Sequence, residues 1–235
     1  MGSPRQMCLF NESRPRRQWL GEMERMVPYR VRIRFRKQGD LRLISHRDLV
    51  RTMERLFRRA GVAVRMSEGF HPKPRMSFPS ALGLGIAGLD EVMEVDLQEE
   101  LTPQQLLAAL TPQVPAGLTF QTAEIVPTGV KKAQLRSLTY EVPVPSHRRA
   151  DLPVAVRRLL AAESWPVTRT GRDLPVDVRP LIEDLEIGED RLRMRLQATH
   201  EAGARPRDVL AALDWDDDVE SAVWSLERTA VELQP

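Results

Sequence analysis

Tyr29-Arg30-Val31-Arg32-Ile33-Arg34-Phe35-Arg36 opens a basic stretch that reaches Phe78, and its unbroken alternation of apolar and basic residues has the period of a β-strand with one buried face. Tyr29, Val31, Ile33 and Phe35 are expected to point inward. Arg30, Arg32, Arg34 and Arg36 then form a row on the other side, spaced about 6.6 Å apart, which suits contact with a phosphate backbone. A second reading stays open beside it. Glu94 and Asp96, on the strand-like run Glu91 to Leu97, would neutralise the same arginines as cross-strand partners.

From Tyr29 to Phe78 the chain carries 14 Lys and Arg against 4 Asp and Glu, although its net charge is only +2. The remainder is therefore net negative, and the basic stretch is expected to face something anionic. Ser45, with Asp48 three residues on, is expected to start a helix. Leu49, Val50, Met53, Leu56, Phe57 and Ala60 give that helix an apolar stripe, Gly61 ends it, and Arg47, Arg51, Arg55, Arg58 and Arg59 lie opposite. His46 falls in its first turn, where it would hydrogen-bond a phosphate, act as a general base or simply support the cap. A strand from Val62 to Met66 then runs into Ser67-Glu68-Gly69-Phe70-His71-Pro72-Lys73-Pro74-Arg75, a proline-stiffened loop. There Phe70 is placed to stack on a base, with His71, Lys73 and Arg75 near its phosphate.

At 235 residues and 42% hydrophobic content the chain holds one large or two modest domains. The single cysteine, Cys8, excludes an internal disulfide and any site built from several thiolates. His46, His71, His147 and His200 show no zinc-like spacing, so neither metal nor cofactor is expected. No spanning apolar window or export signal is evident, and a soluble cytoplasmic protein is expected.

Residues 1–27 read as a polar, disordered leader, with Met26 an alternative start. Residues 28–127 follow as strand, helix, strand, strand, helix, strand. The second helix opens at Thr102-Pro103, and the last strand lies within Leu118 to Val126. Residues 128–133 read as a linker. The pattern recurs over 134–235: a strand through Leu138, Tyr140, Val142 and Val144, a helix from Asp151-Leu152-Pro153 to about Ala162, and a strand near Trp165 to Thr170. After them come an arginine-faced strand with Arg191, Arg193 and Arg195, a helix from Pro206 to Leu213, and an apolar strand from Val219 or later. The expected architecture is α+β: two tandem ferredoxin-like (βαββαβ) halves with antiparallel sheets, each covered by helices on one face. Gly83-Leu84-Gly85-Ile86-Ala87-Gly88 fits G-x-G-x-x-G, but a strand follows it where a dinucleotide fingerprint needs a helix, so a hairpin or bulge is expected.

Several runs together resemble a bacterial family, the radical SAM-linked proteins. They are RFRKQGDLRLISHRDLVRTMERLFRRAG, SEGFHPKPRMSFPSALGLGIAG, LPVDVRPLIEDL and ARPRDVLAAL. The resemblance marks Ser45, His46, Asp48, Ser67, Gly69, Phe70, Pro72, Pro74, Asp177, Arg179 and Pro180. It implies a role close to RNA or translation beside a radical SAM protein. That chemistry would belong to another polypeptide, because one cysteine cannot hold an iron–sulfur cluster. The tandem architecture also looks like that of CRISPR repeat-processing endoribonucleases, a likeness of fold alone.

The expected function is therefore a non-catalytic RNA-binding accessory domain that presents tRNA or rRNA to a separate radical SAM enzyme. Its contact surface would combine Arg30 to Arg36, the Ser45-His46-Arg47 helix start and the His71 to Arg75 loop. Two alternatives stand beside it. One is a protein adaptor that docks the radical SAM partner without RNA. The other is a metal-independent endoribonuclease with His46 as base and Arg47 or Lys73 stabilising the transition state. Asp177 and Arg179 are read as an internal pair.

Overall fold

The alternation through Arg36 forms β1 (Tyr29–Lys37), in which Val31, Ile33, Phe35 and also Lys37 are buried. The computed structural model of the protein describes residues 29–169, 174–198, 203, 205–215 and 219–235. The expected leader with Cys8 and Met26, and later His200, lie outside the described residues.

Helix α1 (His46–Arg59) lays Leu49, Met53, Leu56 and Phe57 on the inner face of β1, where they share a core with Val31, Ile33 and Phe35. Burying each such side chain contributes about 1.5–3 kcal/mol, which fixes the helix to that side of the sheet. Strand β2 (Met76–Ser77) leads to β3 (Ala87–Leu97), α2 (Pro103–Leu110) and β4 (Leu118–Ile125). The second half follows with β5 (Leu135–Pro143), α3 (Leu152–Ala161), β6 (Pro166–Val167), β7 (Val176–Asp177), β8 (Ile182–Ile187) and β9 (Arg191–Gln197). It closes with α4 (Pro206–Ala212), α5 (Val219–Trp224) and β10 (Glu227–Leu233).

These strands make a mixed α+β fold with a mostly antiparallel sheet. The expectation of two separate sheets is corrected: one 8-stranded sheet runs β4-β1-β3-β10-β5-β9-β8, with β2 also paired to β3. The joint is the parallel pairing of β10 with β3 at Ala87 and Gly88. Leu82, just before the glycine run, and Ile86, within it, enter the hydrophobic cluster of the second half. The glycine run is thus part of the joint, and it leads into a strand, β3, which starts within it at Ala87. Gly85 sits at φ +84°, and a Cβ there would lie 2.9 Å from the Trp224 ring.

Two further expectations change. Residues 62–66 form isolated bridges, Val64 to Leu97 and Met66 to Pro74, instead of a strand, and the paired edge is Met76–Ser77. The strand near Trp165 shrinks to β6, which pairs with β7 in a separate two-stranded sheet. Val219–Trp224 is helix, and the last strand, expected from Val219 or later, begins at Glu227.

Candidate nucleic-acid interface

Each arginine of the β1 row meets a neighbouring strand. Arg30 lies 3.3 Å from Asp96, Arg32 lies 3.0 Å from both Glu94 and Glu124, and Arg34 lies 2.5 Å from Asp90. Glu94 and Asp96 stand directly opposite Arg32 and Arg30 in the β1–β3 register. Arg36 remains exposed and reaches the Gln121 side-chain amide at 3.0 Å, in the amide orientation that satisfies both groups. The internally paired ladder is therefore the arrangement adopted by Arg30, Arg32 and Arg34.

The same chemistry continues across the sheet. Arg191 pairs with Glu141 and Glu227, Arg193 with Glu186, and Arg195 with Glu183 and Glu232. Among the described residues carboxylates match or outnumber guanidiniums along this face, so these side chains present no net positive field to a polyanion.

The helical side differs. Ser45 caps α1, its Oγ accepting from the Asp48 N–H at 3.2 Å. The Asp48 carboxylate takes the Ser45 hydroxyl at 2.7 Å, because Asp is one methylene short of the reach that Gln105 shows in the complete box with Thr102. Arg47, Arg51, Arg55, Arg58 and Arg59 are all exposed. Arg51 has Asp48 at 3.6 Å, and Arg55 donates to Thr52. Among the described residues Arg47, Arg58 and Arg59 have no side-chain partner. Arg47, Arg51, Arg55 and Arg59 recur every four residues, about 6 Å along the helix, comparable to the step between phosphates on one strand.

Residues 66–74 leave the sheet edge and return to it. Arg65 N–H donates to Asp96 C=O, and Asp96 N–H donates to Arg75 C=O, so both ends of the excursion meet β3 at one residue. Ser67 N–H to Lys73 C=O (2.7 Å) and Lys73 N–H to Ser67 Oγ (2.9 Å) close its neck. Gly69 at φ +113° makes the turn, and Phe70 stands fully exposed at the tip with His71 and Lys73. Arg75 is committed to Glu68 at 3.3 Å. His46 packs edge-on against Phe78, with ring centroids 5.3 Å apart, and has no hydrogen-bond partner among the described residues.

The expected site residues therefore divide among three places. Ser45, His46 and Arg47 start α1 on the helical side, Phe70, His71 and Lys73 project from the sheet edge, and Arg30 to Arg36 lie across the sheet from α1. They do not form one surface. Arg51, Arg55, Arg58 and Arg59 extend the helical part, and their signal in the sequence is their place opposite an apolar stripe.

At the joint between the halves, Glu91 takes both a terminal and the Nε donor of Arg228, with both residues almost fully buried. Burial alone would lower the Arg228 guanidinium, and Glu91 with Tyr140 more than offsets it, so its pKa is raised. Lys37, also buried, donates to Ile44 C=O at 3.0 Å. Burial and the nearby Arg228 push its ammonium down against the opposing pull of Glu91. Strand parity marks Lys37 and Glu91 as inward-facing in the sequence, whereas nothing local marks Arg228.

A family described as an uncharacterized protein conserved in bacteria, DUF2344, matches residues 30–206. The chain belongs to that family. The match runs from β1 to the first residue of α4 and includes α1, the excursion and the arginine row, while α5, β10 and Arg228 lie beyond it. The family's description names neither an activity nor a partner, so the radical SAM association rests on the sequence resemblance alone. No curated protein matches the chain. Among the described residues no group of His, Cys, Asp and Glu is arranged to hold a metal ion, and no helix is long and apolar enough to cross a membrane.

Proposed function

We propose that the protein binds RNA through the exposed face of α1 and the tip of the 66–74 excursion, holding it for a separate enzyme. The observation that carries this reading is the difference in charge pairing. Arg30, Arg32 and Arg34 of the sheet are spent on carboxylates of the same chain, while Arg47, Arg58 and Arg59 on α1 have no partner among the described residues. Unmatched guanidiniums on an exposed helix face supply sequence-independent affinity, and an exposed aromatic on a closed loop adds stacking on an unpaired base.

His46 supports binding over cleavage. A general base needs a group that orients it, and this imidazole has a ring contact but no hydrogen-bond partner among the described residues. The resemblance adds a radical SAM protein as the enzyme served. The strand orders β4-β1-β3-β2 and β10-β5-β9-β8 support reading each half as one split βαββαβ unit, fused edge to edge.

Fluorescence anisotropy with labelled bulk tRNA at several salt concentrations tests the reading. Arg47→Gln/Arg55→Gln/Arg59→Gln is expected to weaken binding at least about tenfold and to reduce the salt slope by roughly one per arginine removed. Arg36→Gln/Arg193→Gln, on the exposed part of the sheet face, is expected to bind like the wild type. Equal loss in both variants would overturn the reading. If the purified chain ignores tRNA at low salt yet captures a radical SAM protein, the adaptor function replaces it.

A further inference from the structure

A cleft of about 680 Å³ lies between the glycine-rich loop of the first half and α4 and α5 of the second. That volume is within the range of small-molecule sites, about 300–1,000 Å³, and junctions between structural units are where such sites concentrate. Its walls are mainly aliphatic: Leu84, Leu135, Leu138 and Leu196 face it together with Trp224. Leu84 and Trp224 are 59% and 47% exposed at the mouth, so large apolar groups stand open to water there.

The polar groups have a definite arrangement. Ser80 and Tyr140 line the cleft, and Ser80 accepts a hydrogen bond from the buried Arg228 guanidinium at 2.9 Å. Arg205, which is exposed, and Arg207 contribute positive charge, and among the described residues no Asp or Glu lines the cleft. An aliphatic cavity bordered by guanidinium suits a ligand with an apolar body and an anionic head. A cationic amphiphile would meet like charge there.

We infer that this cleft binds an aliphatic carboxylate or phosphate, with the chain along Leu84, Leu138 and Leu196 and the head group at Arg205. The inference is independent of the RNA-binding reading, since it uses neither the outer face of α1 nor the 66–74 excursion.

Isothermal titration of the full chain with dodecanoate, dodecyl phosphate and dodecyltrimethylammonium, all below their micelle concentrations, tests it. One saturable site is expected for the anions and none for the cation, and the tighter of the two anions names the head group. Arg205→Glu is expected to weaken anion binding about tenfold or more. Leu138→Trp, which fills the cavity, should abolish it. Leu84→Glu changes an exposed side chain, so the fold is retained, and it should weaken binding by placing a carboxylate at the mouth. Equal uptake of the cation, unchanged binding in Leu84→Glu and Arg205→Glu, or no saturable anion binding up to about 0.1 mM would overturn the inference.

Discussion

Glu91 is the residue on which the joint depends most. It stands between two buried cations, Arg228, which it holds through two hydrogen bonds, and Lys37, whose ammonium burial already disfavours. Removing one member of a buried pair leaves an uncompensated charge, so Glu91→Ala is expected to cost about 3–5 kcal/mol in urea unfolding. A cost below about 1 kcal/mol would mean that water reaches the pair. Asp177 has a different task. Its Oδ1 accepts the N–H groups of Trp165 (2.7 Å) and Arg179 (3.1 Å), while the Arg179 guanidinium donates to Leu160 C=O at the end of α3. The two residues thus pin α3 to the segment before β8, mainly through backbone bonds. Burial would raise the Asp177 carboxyl, but those N–H donors, Ser164 and the Arg179 charge hold it below the usual carboxylate range. The folded value being the lower one, Asp177 stabilises the fold above the unfolded carboxylate pKa, and this contribution is lost as pH falls through the folded value. The gap in unfolding free energy between wild type and Asp177→Asn is therefore expected to shrink between about pH 6 and about pH 2.5. The sequence suggested that Asp177 and Arg179 act together inside the fold, but their backbone partners are unreadable without coordinates.

At the scale of elements, α1 was legible because one period carries all of its information: an apolar stripe, a Ser cap, a Gly stop and arginines opposite. β1 and β3 were legible for the same reason, and with them the facing of Arg32 by Glu94. The 62–78 segment was not. Val62 to Met66 has strand composition, yet the edge of β3 accepts a partner only as far as Arg65 and then again from Arg75. The intervening residues close on themselves through Ser67 and Lys73, a decision made by two hydrogen bonds and not by any periodicity. That excursion makes its own prediction. Phe70 buries nothing in the free protein, so Phe70→Ser should leave the melting temperature unchanged while removing about 1–3 kcal/mol of affinity for RNA with unpaired bases. Unchanged tRNA affinity in this variant would limit the contact to α1.

For the whole molecule, the sheet puts its charges to two uses. Its uncovered face is an internally matched lattice, and its helical side carries the unmatched arginines of α1 and the open cleft at the joint. Composition alone located the positive surplus in Tyr29 to Phe78 but not the face that presents it, because the neutralising carboxylates lie on strands tens of residues away. The fusion of both halves into one sheet was equally hidden. It rests on a short parallel pairing of β10 with β3 and on the Glu91–Arg228 pair, neither of which leaves a pattern in sequence. Arginine-directed footprinting with phenylglyoxal, in the presence and absence of bulk tRNA and read by mass spectrometry, compares the two faces in a single experiment. Protection of Arg47, Arg55, Arg58 and Arg59, with Arg36 and Arg193 unchanged, is the predicted result. Protection of Arg36 and Arg193 with the α1 arginines still reactive would contradict it.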